Sequence, residues 1–376
     1  MQPSLDMLRL SAEESRGRRF PEPDHPYRDG FQRDHDRIVH ARAFRRLEDK
    51  TQVFTPALSD HFRNRLTHTI EVAQIARTVA RVLHLNEDLT EALALVHDIG
   101  HPPFAHSGEE ELNRQMRRFG ERFDHNLHGL RIVERFEQRY ARFPGLNLTF
   151  EVREGMAKHS RDFEPGEIPE LEEYLPGLRP PLEAQLIDLS DEIAYNTADL
   201  DDAFSAGMFT IEDIAAAVPE YAEILGAVAV EFPGATERAQ FQEALRHLID
   251  LLVSGLVTGT HAAAVDGGLK DVEHLRSHPR RVACLTPQAQ SASASLKSFL
   301  HRQVYSAAAL LEERRRVTLM LAELFGYFLE HPAALPAAYL AQAADQAPHR
   351  IVCDYIAGMT DGFFHRTYRR IIQNEQ

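Results

Sequence analysis

The chain has 376 residues, enough for one large domain or two smaller ones, and its 43% hydrophobic and 26% charged residues are a globular composition. A net charge of −15 argues against a general nucleic-acid coat protein, but leaves room for an anionic substrate held by locally concentrated Arg and Lys. The only cysteines, Cys284 and Cys353, argue against a disulfide framework or a cysteine-based zinc site and fit a reducing, cytoplasmic setting. The start, M-Q-P-S-L-D-M-L-R-L, has no long apolar core, and no run of about 18 apolar residues stands out. Neither a signal peptide nor a membrane span is expected.

Residues 1–30, with Pro21, Pro23 and Pro26 close together, read as an irregular surface arm. From Phe31 the chain turns helical, with Ile38, Ala41 and Leu47 at helical spacing. Arg33, Arg37, Arg42, Arg45 and Arg46 make this segment either an anion-binding surface or, with Asp34, Asp36, Glu48 and Asp49 interleaved, an ion-paired face. Lys50-Thr51-Gln52-Val53-Phe54 follows as a short extended or turn segment. Residues 62–83 form an amphipathic helix whose buried stripe is Val72, Ile75, Val79 and Leu83; four residues before Val72, the same stripe carries His68.

Asn86 caps the next helix, Leu89, Leu93 and Val96 line it, Gly100 ends it, and Pro102-Pro103 forbid its resumption. His97 and Asp98 then fall in its last turn. A carboxylate there opposes the helix dipole at a cost of about 0.3–1 kcal/mol, and a bound cation would reverse that sign. Ser107-Gly108-Glu109-Glu110 fits a capping box, so the following helix is expected over 108–119, with His106 just before the cap and Glu109 in the first turn. The positive end of such a helix suits a phosphate. His97, Asp98, His101, His106 and Glu109 thus crowd into thirteen residues around one helix stop and one helix start.

Helical periodicity recurs over 126–140 and 151–159, the latter ending in Lys158-His159, and 161–182 reads as a loop. In the long helix carrying Leu186, Leu189, Ile193 and Leu200, the residues Asp191, Tyr195 and Asp199 are four apart and share one face, as a pocket wall or a hydrated stripe. Segments 211–230, 237–257, 288–311, 312–329 and 337–345 are also helical. The class is all-α, a small hairpin near 146–152 being the one open exception. The division expected is an arm over 1–30, a core over 31–205 and a helical C-terminal region over 206–376 packed on that core as one continuous structural unit.

Two imidazoles and two carboxylates, from His68, His97, Asp98 and Asp191, suit a divalent transition metal or a harder ion such as manganese or magnesium. Such an ion would acidify a bound water and neutralise phosphate charge. The spacing does not match the H-E-x-x-H zinc peptidases.

The pattern His68…His97-Asp98…Asp191 resembles the HD-domain metal-dependent phosphohydrolases. The wider motifs K-T-Q-V-F, R-L-T-H-T-I-E-V, H-D-I-G-H-P-P-F-A-H-S-G-E, D-E-I-A-Y-N-T-A-D-L-D-D-A and I-A-G-M-T-D resemble the bacterial dGTPase-like branch, which is related to the mammalian SAM-and-HD-domain dNTPase. The resemblance spans residue 31 to the C-terminus and is weaker over 206–345. It implies the HD helical fold with additional C-terminal helices, and hydrolysis of dGTP or several dNTPs to deoxynucleoside and triphosphate. Metal ligation by His68, His97, Asp98 and Asp191 is implied, with His106 catalytic and Glu109 its partner. His101, His125, Arg65 and Lys158 are then expected on phosphates, Tyr195 against the deoxyribose, Asp199 and Gln52 on the 3′-hydroxyl, and Tyr305 at the sugar or base. A homo-oligomer such as a hexamer and a nucleotide activator are implied as well. A single-stranded DNA effector stays open, unsupported by the net charge. Other HD hydrolases (nucleotidase, nuclease, second-messenger hydrolase) and a catalytically silent nucleotide-binding regulator are the alternatives.

Overall fold

A computed structural model describes residues 4–52, 62–341 and 346–373. Val53 and Phe54 of K-T-Q-V-F and the end of the helix expected over 337–345 lie outside the described residues. In chain order the helices are α1 (Gly30–Val39), α2 (Arg42–Arg45), α3 (Arg65–Leu83), α4 (Glu87–Val96), α5 (Ala105–Arg117), α6 (His125–Arg131), α7 (Phe150–Ala157) and α8 (Leu182–Ser205). They continue as α9 (Ile211–Ala217), α10 (Pro219–Glu231), α11 (Glu237–Asp266), α12 (Val272–Arg276), α13 (Pro287–Leu300), α14 (Ala308–Glu330), α15 (Ala337–Ala341), α16 (Pro348–Ala357) and α17 (Asp361–Ile372). Among the described residues β-pairing is limited to isolated bridges such as Arg18 with Thr149, so the all-α class holds and residues 150–152 are helix, not hairpin.

The apolar side chains gather into two cores. The first contains Val72, Ile75 and Val79 of α3, Leu89, Leu93 and Val96 of α4, Leu186 and Ile193 of α8, Leu248 of α11 and Leu296 of α13. The second is built by Leu112 and Met116 of α5, Val317, Leu321, Leu324 and Phe325 of α14, Val352 and Ile356 of α16 and Phe364 of α17. From the C-terminal region α11 and α13 share the first core, while α5 joins α14, α16 and α17 in the second.

Local signals set most helix starts. Asn64 accepts the Thr67 N–H at 2.9 Å and Asn86 the Leu89 N–H at 3.1 Å, opening α3 and α4. Pro219 splits the helix expected over 211–230, and π-helical turns at Ile132–Phe136 and His301–Tyr305 interrupt the segments expected over 126–140 and 288–311. Within 161–182 a 3₁₀ turn, Pro169–Tyr174, buries Leu171 and Tyr174. By length and composition α11 could cross a membrane; here Phe241, Leu245, Leu248, Leu252 and Leu256 bury its inner face in the first core.

The first third of the N-terminal segment is not a surface arm, although residues 20–29 lie at the surface. Leu5, Leu8 and Leu10 are buried, and the Leu10 N–H bonds the Glu183 carboxylate at 3.0 Å. Arg18 pairs with the fully buried Asp34 at 2.5 Å. The arginine-rich segment is ion-paired in part: Arg37 makes two bonds to Glu22 at 2.7 and 2.9 Å and Arg33 stands 3.4 Å from the same carboxylate, whereas Arg45 and Arg46 donate to the His40 and Gly358 carbonyls. Apolar residues too sparse to signal a helix were enough to bind the segment to the core.

Candidate active site

Three helices of the first core bring the two-histidine, two-carboxylate set together. His68 projects from the first turns of α3 with 1% exposure. His97 caps α4, Asp98 follows it, and Asp191 comes from the middle of α8, which packs on α3. The His68 Nε2 lies 2.8 Å from Asp191 and 3.8 Å from Asp98. The His97 Nε2 lies 3.5 Å from Asp98 and 3.7 Å from Asp191.

This donor set fits a cation. The His97 Nδ1 sits 2.6 Å from the Ala94 carbonyl, which makes it the N–H side. Its Nε2 then faces two carboxylates from a buried position, with no hydrogen-bond partner among the described residues. Two carboxylates against one buried ring nitrogen call for positive charge between them, either a cation or, without one, a second proton on the imidazole, and a backbone carbonyl behind the imidazole is the usual support of a metal ligand. Burial by itself would lower the His97 pKa; Asp98 and Asp191 override it and raise the imidazole to about 9. Burial opposes charge on Asp98 as well, yet Arg65, His101 and His97 hold that carboxyl well below its usual range. Asp191 is held down against burial by His68 and His97.

The histidine loop continues away from this cluster. Gly100 permits it: a Cβ there would stand 2.0 Å from the His125 carbonyl and 2.4 Å from the Gly129 nitrogen, so α6 could not approach. The His101 Nδ1 contacts Asp98 at 2.9 Å, and its ring stacks on His125 at 3.9 Å. Glu109 accepts from the His125 backbone N–H at 3.0 Å and lies 2.8 Å from its Nδ1. His106 Nδ1 is 3.8 Å from the other Glu109 oxygen, and its side chain is 70% exposed. Despite burial, His106 and His125 keep the Glu109 carboxyl well below its ordinary range.

The helix carrying His106 starts earlier than the capping box suggested. It opens at Ala105 with Phe104 as its cap, in the left-handed region at φ 63°, and Ser107 lies inside the first turn. The local box loses to a distant residue: the Phe104 N–H is taken by Asp361 at 3.1 Å.

A cleft opens beside His106, lined by Thr51, Gln52, Phe104, Ala105, Ser107, Tyr195 and, from α14, Leu310, Glu313, Arg314 and Val317. Tyr195 stacks on Tyr305 at 5.9 Å, and the Tyr305 hydroxyl donates to Asp199 at 2.5 Å. Asp199 is 2% exposed, and burial raises its pKa to about 8 although Tyr305 opposes the shift. Of these three residues, Tyr195 alone lines the cleft. Gln52 is buried, and its side-chain carbonyl oxygen has no hydrogen-bond partner among the described residues. Arg65 is turned onto Asp98 at 2.5 Å, and its Nε is buried without a partner.

Lys158 is a correction. Its ammonium is fully buried away from the histidines, donating to Glu154 at 2.9 Å and to the Leu175 and Leu178 carbonyls at 2.9 and 2.8 Å. Every proton of that ammonium is engaged, so it does not reach a phosphate. The neighbouring His159, one residue off, is the group that enters the site. Its Nδ1 is held by Asp188 at 2.8 Å, its Nε2 lies 3.8 Å from Asp191, and its ring is 5.2 Å from His97. Donor atoms of His97, His159 and Asp191 stand as close to one another as those of His68, His97 and Asp98. A helix-terminal Lys-His pair does not reveal which of the two turns inward. Sequence reasoning also missed Glu313 and Arg314, whose only signal was the E-E-R-R-R run, and Asp361 of I-A-G-M-T-D.

The fold and the His-Asp set define an HD-domain protein: residues 65–196 match the HD domain and residues 283–370 the phosphohydrolase-associated domain. Relatives named deoxyguanosinetriphosphate triphosphohydrolase-like protein include one from Ralstonia nicotianae, 43% identical over 97% of this chain and 93% of its own length. One from an Azoarcus species is 44% identical over 95% and 93%, and one from Geobacter sulfurreducens 43% over 96% and 92%. The chain belongs to the deoxyguanosinetriphosphate triphosphohydrolase-like family.

Proposed function

We propose that this chain is a metal-dependent dNTP triphosphohydrolase that converts a dNTP and water to a deoxynucleoside and inorganic triphosphate. The observation that carries the reading is the adjacency of two parts: a donor set of buried His68, His97 and Asp98 with the partly exposed Asp191 and, across the His101/His125 stack, a cleft lined by His106, Gln52 and Tyr195. A divalent ion held by the four donors would offset α-phosphate charge and acidify a water. Water attack at the α-phosphorus forms the new P–O bond and breaks the bond to O5′. The departing 5′-alkoxide has a high pKa and takes a proton from His106, general-acid help worth about 10²–10⁴-fold. His106 suits the donor role because it lines the same cleft as Tyr195, on the sugar side of the donor set. Glu109, kept ionised, stabilises the imidazolium that must form before transfer. Tyr195 forms an aromatic wall where a 2′-hydroxyl would crowd, and Gln52 offers its side-chain carbonyl oxygen to the 3′-hydroxyl. Arg65 anchors Asp98 and leaves its Nε toward the phosphates. Manganese or magnesium as the ion, a homo-oligomeric assembly with a nucleotide activator and a cytoplasmic setting belong to the same reading and rest on the family resemblance alone.

Product analysis tests the proposal. The purified protein is incubated with manganese and each dNTP, alone and mixed, and nucleosides, nucleotides, triphosphate and phosphate are separated. Deoxynucleoside with intact triphosphate is the expected result. Monophosphate, diphosphate or free phosphate would move the chain to another HD activity, and no turnover in any mixture would favour the regulator.

A further inference from the structure

Two segments that the metal and the histidine pair leave unexplained meet under the active site. One is Lys50-Thr51-Gln52; the other is the turn between α16 and α17 that ends in Asp361. Asp361 is 9% exposed and stands in the first turn of α17 behind the cap Thr360. One of its oxygens accepts the Thr51 N–H at 2.8 Å and the Thr51 hydroxyl at 2.5 Å. The other accepts the Phe104 N–H at 3.1 Å. Around this point the Lys50 ammonium donates to the His101 carbonyl and, at 3.3 Å, to the Ala357 carbonyl. Arg46 donates to the Gly358 carbonyl at 2.9 Å.

The two groups joined by Asp361 are two walls of the same cleft. Thr51 and Gln52 form one; Phe104, Ala105 and His106 form the other. The second wall is held in a conformation that L residues avoid: Phe104 has φ 63° and Ala105 φ 52°. No side chain caps the start of α5 locally, so the Asp361 bond stands where a local cap would. The Phe104 ring is seated edge-on against Phe364 of α17 at 5.0 Å, which fixes the same turn from its apolar side. His106 is the next residue after this turn, and the turn therefore decides where its imidazole stands relative to the donor set.

We propose that Asp361 is a positioning residue of this active site: its two carboxylate oxygens set the spacing between the Thr51-Gln52 wall and the Phe104-Ala105 turn, and thereby the place of His106. A carboxylate is needed because both of its oxygens accept; an amide offers one acceptor and must release one wall. The role explains why a residue 257 positions from Phe104 belongs to the site. It rests on the functional reading above for its kinetic consequence and on geometry alone for its structural one.

The test uses the full-length, manganese-loaded protein and the variants Asp361→Asn, Thr51→Val and Thr51→Ser. Asp361→Asn is expected to lower kcat by about 10²-fold, the scale of a small misplacement of a catalytic group, with KM and manganese stoichiometry changing far less. Hydrogen exchange is expected to quicken in peptides covering 50–52 and 102–110 and to stay unchanged over 65–97. Thr51→Ser, which keeps the hydroxyl, is expected to retain more activity than Thr51→Val. Unchanged exchange at 102–110 would overturn the proposal, and so would a fall in kcat accompanied by lost manganese or by faster exchange throughout the chain. Should Asp361→Asn fail to fold, the comparison of Thr51→Val with Thr51→Ser decides, equal activities overturning the proposal. Absence of any turnover by the unmodified chain would sink the functional reading instead, leaving the exchange pattern to decide whether Asp361 holds the two walls.

Discussion

The donor cluster on α3, α4 and α8 and the histidine helix α5 face each other across one site, but they are built on different cores. His68, His97 and Asp98 are each under 5% exposed, locked by Ala94, Arg65 and one another within the first core. His106 is open to solvent, 3.8 Å from Glu109, on a helix that packs with α14, α16 and α17 in the second. The half proposed to bind the cation is already held by buried contacts. The half proposed to donate the proton is exposed, and in the proposal above Asp361 sets its place. Binding charge requires desolvation and rigidity, whereas delivering a proton to a departing oxygen requires a group that the substrate can reach.

The contrast can be broken most sharply by paired substitutions. His97→Ala should abolish both metal retention and turnover, since it removes a donor from between two carboxylates. His106→Ala should lower turnover by about 10²–10⁴-fold while metal stoichiometry after dialysis stays that of the wild type. Activity retained by His106→Ala would end its assignment as the acid, and metal lost from that variant would place it among the ligands.

Next in size is Lys158. Because its ammonium is spent inside the protein, Lys158→Met should act on stability and not on substrate affinity. Removing one partner of a buried pair costs about 3–5 kcal/mol, and the lower end applies because Arg276 still bonds Glu154 at 2.8 and 2.9 Å. A lower melting temperature with unchanged KM is expected. A raised KM at unchanged stability would return Lys158 to the phosphates.

The smallest effect concerns the first core alone. Glu183 accepts the Leu10 and Asn86 N–H groups on one oxygen, its other oxygen is buried without a partner, and burial raises its pKa to about 7. A carboxyl with a raised folded pKa is more easily ionised in the unfolded chain. Its penalty is absent below about pH 4.5, grows as pH rises, and is complete above about 7. Glu183→Gln, which keeps the accepting oxygen, should therefore raise the melting temperature at pH 8 and change it little at pH 5. An equal effect at both values would remove ionisation as the cause.

Much of the site was legible because its chemistry is local. His68 lies one helical step from Val72, His97-Asp98 ends a helix that Asn86 starts, and Asp191, Tyr195 and Asp199 share a helical face; each follows from spacing along one element. The all-α class was legible for the same reason, 3.6-residue periodicity being a property of each segment by itself. What the amino-acid order left undecided are contacts between distant segments. Whether Lys158 or His159 turns inward depended on the Leu175 and Leu178 carbonyls waiting for an ammonium. Whether α5 starts at Ser107 or Ala105 depended on a carboxylate at Asp361. The N-terminal leucines became core because α3 and α8 offered a surface to cover. A short polar segment has no periodicity to announce such partners, and buried hydrogen bonds are matched across the whole chain; only the tertiary structure could decide them.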